Sequence, residues 1–163
     1  MDHVRILTLA ASLCAAAAPA AAFAQTPKDL AGSWTLVSSV IEQSGAKIEP
    51  FGPNPRGSLI LEANGRYLAM VARAGLPKIA ANTPLGGTAE ENNAIVTGTV
   101  AHFGTYVVGA DKTITFHIET ASYPNWDGTE QKRTFTLAGD TLTYTAGGAP
   151  GGGIATLVWE RAK

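Results

Sequence analysis

The sequence predicts an all-β domain: a single closed antiparallel barrel of eight strands with one short helix. Three observations carry that prediction. From residue 34 onward, apolar and polar residues alternate over short runs, the period of a strand with one buried face. Turn-forming residues separate several of these runs at hairpin spacing, and no segment has the strand–helix–strand layout of a parallel unit. About eight such runs are present, the number at which a sheet closes around a lumen that holds side chains or one small ligand. Closure also removes unpaired sheet edges. A two-sheet sandwich has the same alternation and stays open as an alternative at this level.

The first 24 residues read as an export signal outside the fold. His3 and Arg5 precede an apolar, alanine-rich stretch from Ile6 to Ala22, which ends in Ala22-Phe23-Ala24, the small-x-small pattern of a signal-peptidase site. Leu13 stands before Cys14 where a lipid-attachment site needs a small residue, so lipidation is the weaker reading. The expected domain is then 25–163, or 139 residues (163 less the first 24), enough for one core of its own. It is expected in the periplasm or outside the cell, with no membrane span. The only cysteine lies in the signal, which excludes disulfides and thiolate chemistry from the domain. A net charge of −1 without charge runs speaks against nucleic acid or an anionic membrane as partner.

Within the domain, Trp34–Glu42 is the first strand, with Trp34, Leu36 and Val40 on one face and Val37 and Ile41 on the other. The stretch from Pro50 to Gly57 holds three prolines, which lack the ladder donor, and is expected as a stiff loop. Strands Ser58–Glu62 and Arg66–Arg73 flank Ala63-Asn64-Gly65, a tight-hairpin signal. Thr88-Ala89-Glu90-Glu91 is a capping box for a short helix, expected over an open end of the barrel. Strands follow at His102–Val108 and Thr113–Thr120, around Gly109-Ala110-Asp111-Lys112. Glu130–Leu137 and Thr141–Thr145 flank Ala138-Gly139-Asp140. A flexible loop is expected from Gly147 to Gly153, before the last strand, Ile154–Arg161.

Gly32-Ser33-Trp34 at the start and Trp159-Glu160-Arg161 at the end resemble the lipocalin, or calycin, arrangement. That resemblance implies a tryptophan plugging the closed end of the barrel and an arginine packed across it, so Trp34 and Arg161 are expected as a structural pair. A longer ordered series is similar to the bacterial and fungal lipocalin-like domain proteins. It comprises Leu30–Leu36, Phe51–Gly57, Asn64–Tyr67, Phe103–Tyr106, His117, Pro124–Gly128, Arg133, Gly139–Leu142 and Trp159–Arg161. The resemblance implies the fold over nearly the whole domain and leaves the function open.

No nucleophile elbow, zinc-protease helix or phosphate loop is present, and no cofactor or metal is expected. His117 and Glu119 share one side of a strand, a spacing that suits a metal and equally suits a solvated face. Tyr106, His117, Glu119 and Arg133 lie on three consecutive predicted strands. If they turn inward they form a polar patch in an apolar cavity, the way small-ligand sites are built. Arg133 would hold a carboxylate or enolate oxygen, Tyr106 would donate a hydrogen bond, and His117 would move a proton. If Ile114, Phe116 and Ile118 face inward instead, His117 and Glu119 lie in solvent. Alternation does not choose between the faces. Trp126, in a turn-rich connection, either closes over a ligand or packs on its own loop. The leading expectation is an exported binder of a small hydrophobic molecule, one bearing a carboxylate or carbonyl, in the barrel lumen. The alternatives are an isomerase, cyclase or hydrolase built on the His/Tyr/Arg group, and a structural or interaction module with a filled core.

Overall fold

Strand pairing in the computed structural model, which describes residues 25–149 and 153–163, runs in chain order around a ring. The strands are β1 (Gly32–Gln43), β2 (Ala46–Ile48), β3 (Arg56–Leu61), β4 (Arg66–Ala72), β5 (Thr99–Gly109), β6 (Thr113–Ala121), β7 (Glu130–Ala138), β8 (Thr141–Ala149) and β9 (Gly153–Arg161). From β3 to β9 each strand pairs antiparallel with the next, β1 pairs with β3, and β9 returns to β1. Eight strands therefore close an antiparallel barrel, and the sandwich alternative is excluded. The export signal expected over residues 1–24 lies outside the described residues.

The ninth strand, β2, was not legible as a strand. It folds back on the end of β1, pairing Ile41 with Ile48, through a turn in which Ser44 and Gly45 both have positive φ. Of the flexible loop expected from Gly147 to Gly153, residues 147–149 and 153 belong to β8 and β9, which pair Ala149 with Gly153, and residues 150–152 lie outside the described residues.

Two irregularities decide which side chains face the interior. In β1 the register against β9 slips between Leu36 and Ser38. Trp34 and Leu36 point inward below the slip, and Ser39 and Ile41 line the interior above it, so Val40 does not share the inner face with Trp34 and Leu36 as expected. In β6 a second slip, opposite Phe103 and Gly104, brings Ala121 inward after Ile114, Phe116 and Ile118. Gly104 permits this close approach, because a Cβ there would lie 2.0 Å from the carbonyl oxygen of His117.

One end of the barrel is filled. Helix α1 (Pro27–Leu30) lies just before β1, and Leu30, Trp34, Leu59, Leu61, Ile114, Leu142 and Trp159 are almost wholly buried. This helix was not expected, although Thr26, Pro27 and Asp29 are N-terminal signals: the Asp29 carboxylate accepts from both the backbone N–H and the hydroxyl of Thr26. Helix α2 (Ala89–Thr97) forms from the expected capping box, with Glu91 N–H donating to Thr88 Oγ1 at 3.2 Å and Thr88 N–H donating to Glu91 Oε2 at 2.8 Å. It leads directly into β5 at the end of the barrel away from Trp34, and buries none of its residues completely. No helix among the described residues is long and apolar enough to cross a membrane.

Candidate functional site

Above the filled end, the interior opens into a cavity of about 480 Å³, within the range of small-molecule sites. Its walls come from β1 (Ser39, Ile41), β4 (Ala69, Val71), β5 (Val100, His102), β7 (Gln131, Arg133), β8 (Tyr144) and β9 (Ala155, Leu157). Pro50 and Phe51 from the proline-rich loop and Trp126 from a short 3-10 turn (Pro124–Trp126) complete it. The loop is anchored where Arg73 donates to the carbonyl of Pro50 at 3.1 Å. The walls are predominantly aliphatic and aromatic, so the polar groups among them are few and identifiable.

Arg133 is foremost among these. Its guanidinium lies 4.9 Å from the Tyr144 ring centroid and 5.5 Å from that of Phe116, stacked on two aromatic faces with only 7% of the residue exposed. It donates one hydrogen bond, from Nη2 to Gln131 Oε1, and its buried Nε has no partner. Among the described residues, no carboxylate lies within ion-pair distance of it.

His102 is the second polar group. Its Nδ1 is 2.8 Å from the hydroxyl of Tyr67, and its ring meets Tyr67, Phe116 and Trp126 edge-on. Assigning the Tyr67 hydroxyl as the donor to Nδ1 puts the imidazole proton on Nε2. Burial, reinforced by the charge of Arg133, pushes the His102 pKa down to about 4. The ring is therefore neutral at pH 7 and presents an Nε2–H donor. Burial raises the hydroxyls of Tyr67 and Tyr144 above their ordinary range, so both remain protonated.

The polar patch expected from the sequence is only partly assembled. Arg133 and Trp126 line the cavity. Tyr106 points inward but at the filled end, where its hydroxyl donates to the carbonyl of Glu62 at 2.9 Å and also approaches that of Pro27 at 3.3 Å. His117 and Glu119 are corrections: both lie on the outer face, because Ile114, Phe116 and Ile118 take the interior. His117 Nδ1 pairs with Glu130 Oε1 at 2.9 Å, and Glu119 forms a two-pronged ion pair with Arg66, so the two side chains do not converge on a metal. Among the described residues no group of three or more potential ligands could hold a metal ion. His102, Tyr67, Gln131 and Tyr144 were missed. The signal was present: His102 has the parity of Tyr106 in β5, and Gln131 that of Arg133 in β7.

At the other end, the Arg161 guanidinium lies 4.2 Å from the Trp34 ring centroid. Its Nη1 donates to the carbonyl of Ala31 at 2.8 Å, its Nη2 to that of Asp29 at 3.1 Å, and its Nε is 3.3 Å from Asp140. Trp34 Nε1 donates to the carbonyl of Leu30 at 3.0 Å. Gly32 has a φ of +137°, and a Cβ there would lie 2.8 Å from Arg161 Nη1.

Against known proteins, the lipocalin-like domain family profile matches residues 31–162. The chain belongs to the lipocalin-like domain family. A 4'-hydroxy-3'-methoxypropiophenone carrier protein of Aspergillus oryzae is 32% identical to it over 81 residues, which are 45% of this chain and 73% of the carrier. Among solved structures, a redesigned β-barrel superposes with a TM-score of 0.45 at 12% identity, covering 85% of this chain and 96% of the design. In this lipocalin-like domain the cavity side chains reside on several different strands, so their mutual placement depends on barrel closure and register.

Proposed function

We propose that this lipocalin-like protein carries a small hydrophobic molecule in the barrel cavity, gripping a carboxylate or carbonyl oxygen of it. The observation that carries the reading is Arg133: a buried guanidinium facing a mostly apolar cavity, with a donor that no described residue satisfies. A cavity of about 480 Å³ suits a one- or two-ring molecule, and the fungal relative is named as the carrier of a phenolic ketone. The filled-core alternative has no support in an interior of this volume. The enzyme alternative built on His117 lacks its proton carrier, since that side chain lies outside the barrel.

Native mass spectrometry of the protein purified from its own host is expected to show a co-purifying small molecule. Titration calorimetry with an aryl ketone such as 2-acetylnaphthalene is expected to give saturable one-to-one binding, lost when Val71 and Val100 are both enlarged to Trp to fill the cavity. Absence of both signals would overturn the carrier reading. We further propose that the protein works after export. Fractionation with N-terminal sequencing is expected to find a chain beginning at Gln25 outside the cytoplasm; an intact Met1 end on a cytoplasmic protein would refute this.

A further inference from the structure

We infer that the cargo is an acid, and that its carboxylate seats on Arg133 with His102 Nε2–H as a second donor. This rests on the carrier reading and narrows it, because a carboxylate and a neutral carbonyl make different demands on the same pocket.

The argument is one of charge as well as hydrogen bonding. Removing a guanidinium from water is costly unless an opposite charge and enough acceptors replace the solvent. Arg133 has five N–H donors and one described acceptor, the neutral amide of Gln131, and its Nε is buried without a partner. The nearby charged residues are already engaged. Glu130 borders the cavity, but its carboxylate holds His117, and Lys132 holds Asp111. Glu119, beyond the outer face of β6, is taken by Arg66. Among the described residues, then, nothing neutralises Arg133.

A ketone oxygen would occupy one donor and leave the charge uncompensated. A carboxylate brings two oxygens at the spacing of the guanidinium fork together with the missing negative charge. His102 adds a neutral donor and no competing charge, and both residues meet the Phe116 ring, the guanidinium at 5.5 Å and the imidazole at 6.2 Å from its centroid. The remaining walls, among them Val71, Val100 and Leu157, suit an aromatic or alkyl body.

The test is a set of three probes of matched shape: 2-naphthoate, 2-naphthamide and 2-acetylnaphthalene, titrated by calorimetry at pH 7 into the wild type and into Arg133→Met. The acid is expected to bind the wild type at least tenfold more tightly than either neutral probe. In R133M that preference should vanish, the acid falling to the level of the neutral probes, and Arg133→Lys should restore part of it. Equal binding of all three probes to the wild type, or an acid preference that survives R133M, would overturn the inference and leave the carrier reading standing. Failure of all three to bind the wild type would overturn both. If R133M does not fold, the ratio of acid to amide on the wild type decides alone.

Discussion

Two arginines, one at each end of the barrel, do the same thing with their planes and opposite things with their hydrogen atoms. Arg161 lies over Trp34, and its donors are met by the carbonyls of Ala31 and Asp29 and by the Asp140 carboxylate. Arg133 lies over Tyr144 and Phe116, meets one amide oxygen, and keeps a buried donor unused. Stacking on aromatic rings therefore does not tell the two arginines apart. Acceptors do. Where the chain supplies them the residue closes the fold, and where it withholds them a place is left for something else.

The largest way to break the contrast is at the closed end. Trp34→Ala removes a fully buried indole and leaves the carbonyl of Leu30 without its donor, so unfolding in urea should show a loss of roughly 4 kcal/mol. Next comes acid. His102 titrates near 4 in the folded protein and near 6.5 when unfolded, so between those values the unfolded chain binds a proton that the folded one refuses. Stability from this group is complete above pH 6.5 and is lost as pH falls to 4, by about 3 kcal/mol in all. Unfolding measured across that window should flatten in His102→Gln.

A smaller loss is expected from Arg161→Lys, which keeps the charge but not the fork that reaches two carbonyls. It should cost about 1 to 2 kcal/mol by thermal melting and leave binding of the naphthoate probe unchanged. A weakened affinity at unchanged stability would show that the closed end takes part in binding after all. The smallest effect belongs to the outer face. His117→Gln should change stability by less than about 0.5 kcal/mol and affinity not measurably, because it breaks one largely exposed contact with Glu130.

The fold was largely legible because its signals are local. Asn64-Gly65 makes its hairpin with Gly65 at positive φ, and Thr88 with Glu91 starts a helix by reciprocal hydrogen bonds between near neighbours. Trp34 and Arg161 could be paired through a family resemblance, which carries long-range information that alternation lacks. The site was less legible because it depends on which face of each strand turns inward, and that is settled by packing between strands far apart in sequence. The pattern of β6 was compatible with His117 inside or Ile114, Phe116 and Ile118 inside, and burial of the larger apolar set prevailed. His102 was overlooked although its parity matches that of Tyr106, because one histidine between apolar residues reads as incidental until Tyr67 and Arg133 are placed beside it. Strand β2 escaped because three residues carry too little alternation to register.

The slip in β1 has a consequence for how such a cavity can change. Below it the inward positions are even-numbered, at Trp34 and Leu36, and above it they are odd-numbered, at Ser39 and Ile41. The upper wall is thus read in a different frame from the plug beneath it. Deleting Ser38 would remove the extra residue and restore one unbroken alternation, in which Ser39 and Ile41 still follow Trp34 and Leu36 inward, Val40 and Glu42 still face out, and Trp34 and Arg161 stay in place. One codon lost at that point would straighten the strand and leave the same hydroxyl and aliphatic group facing the lumen, whereas flattening the slip at constant length would put Val40 and Glu42 there in their place.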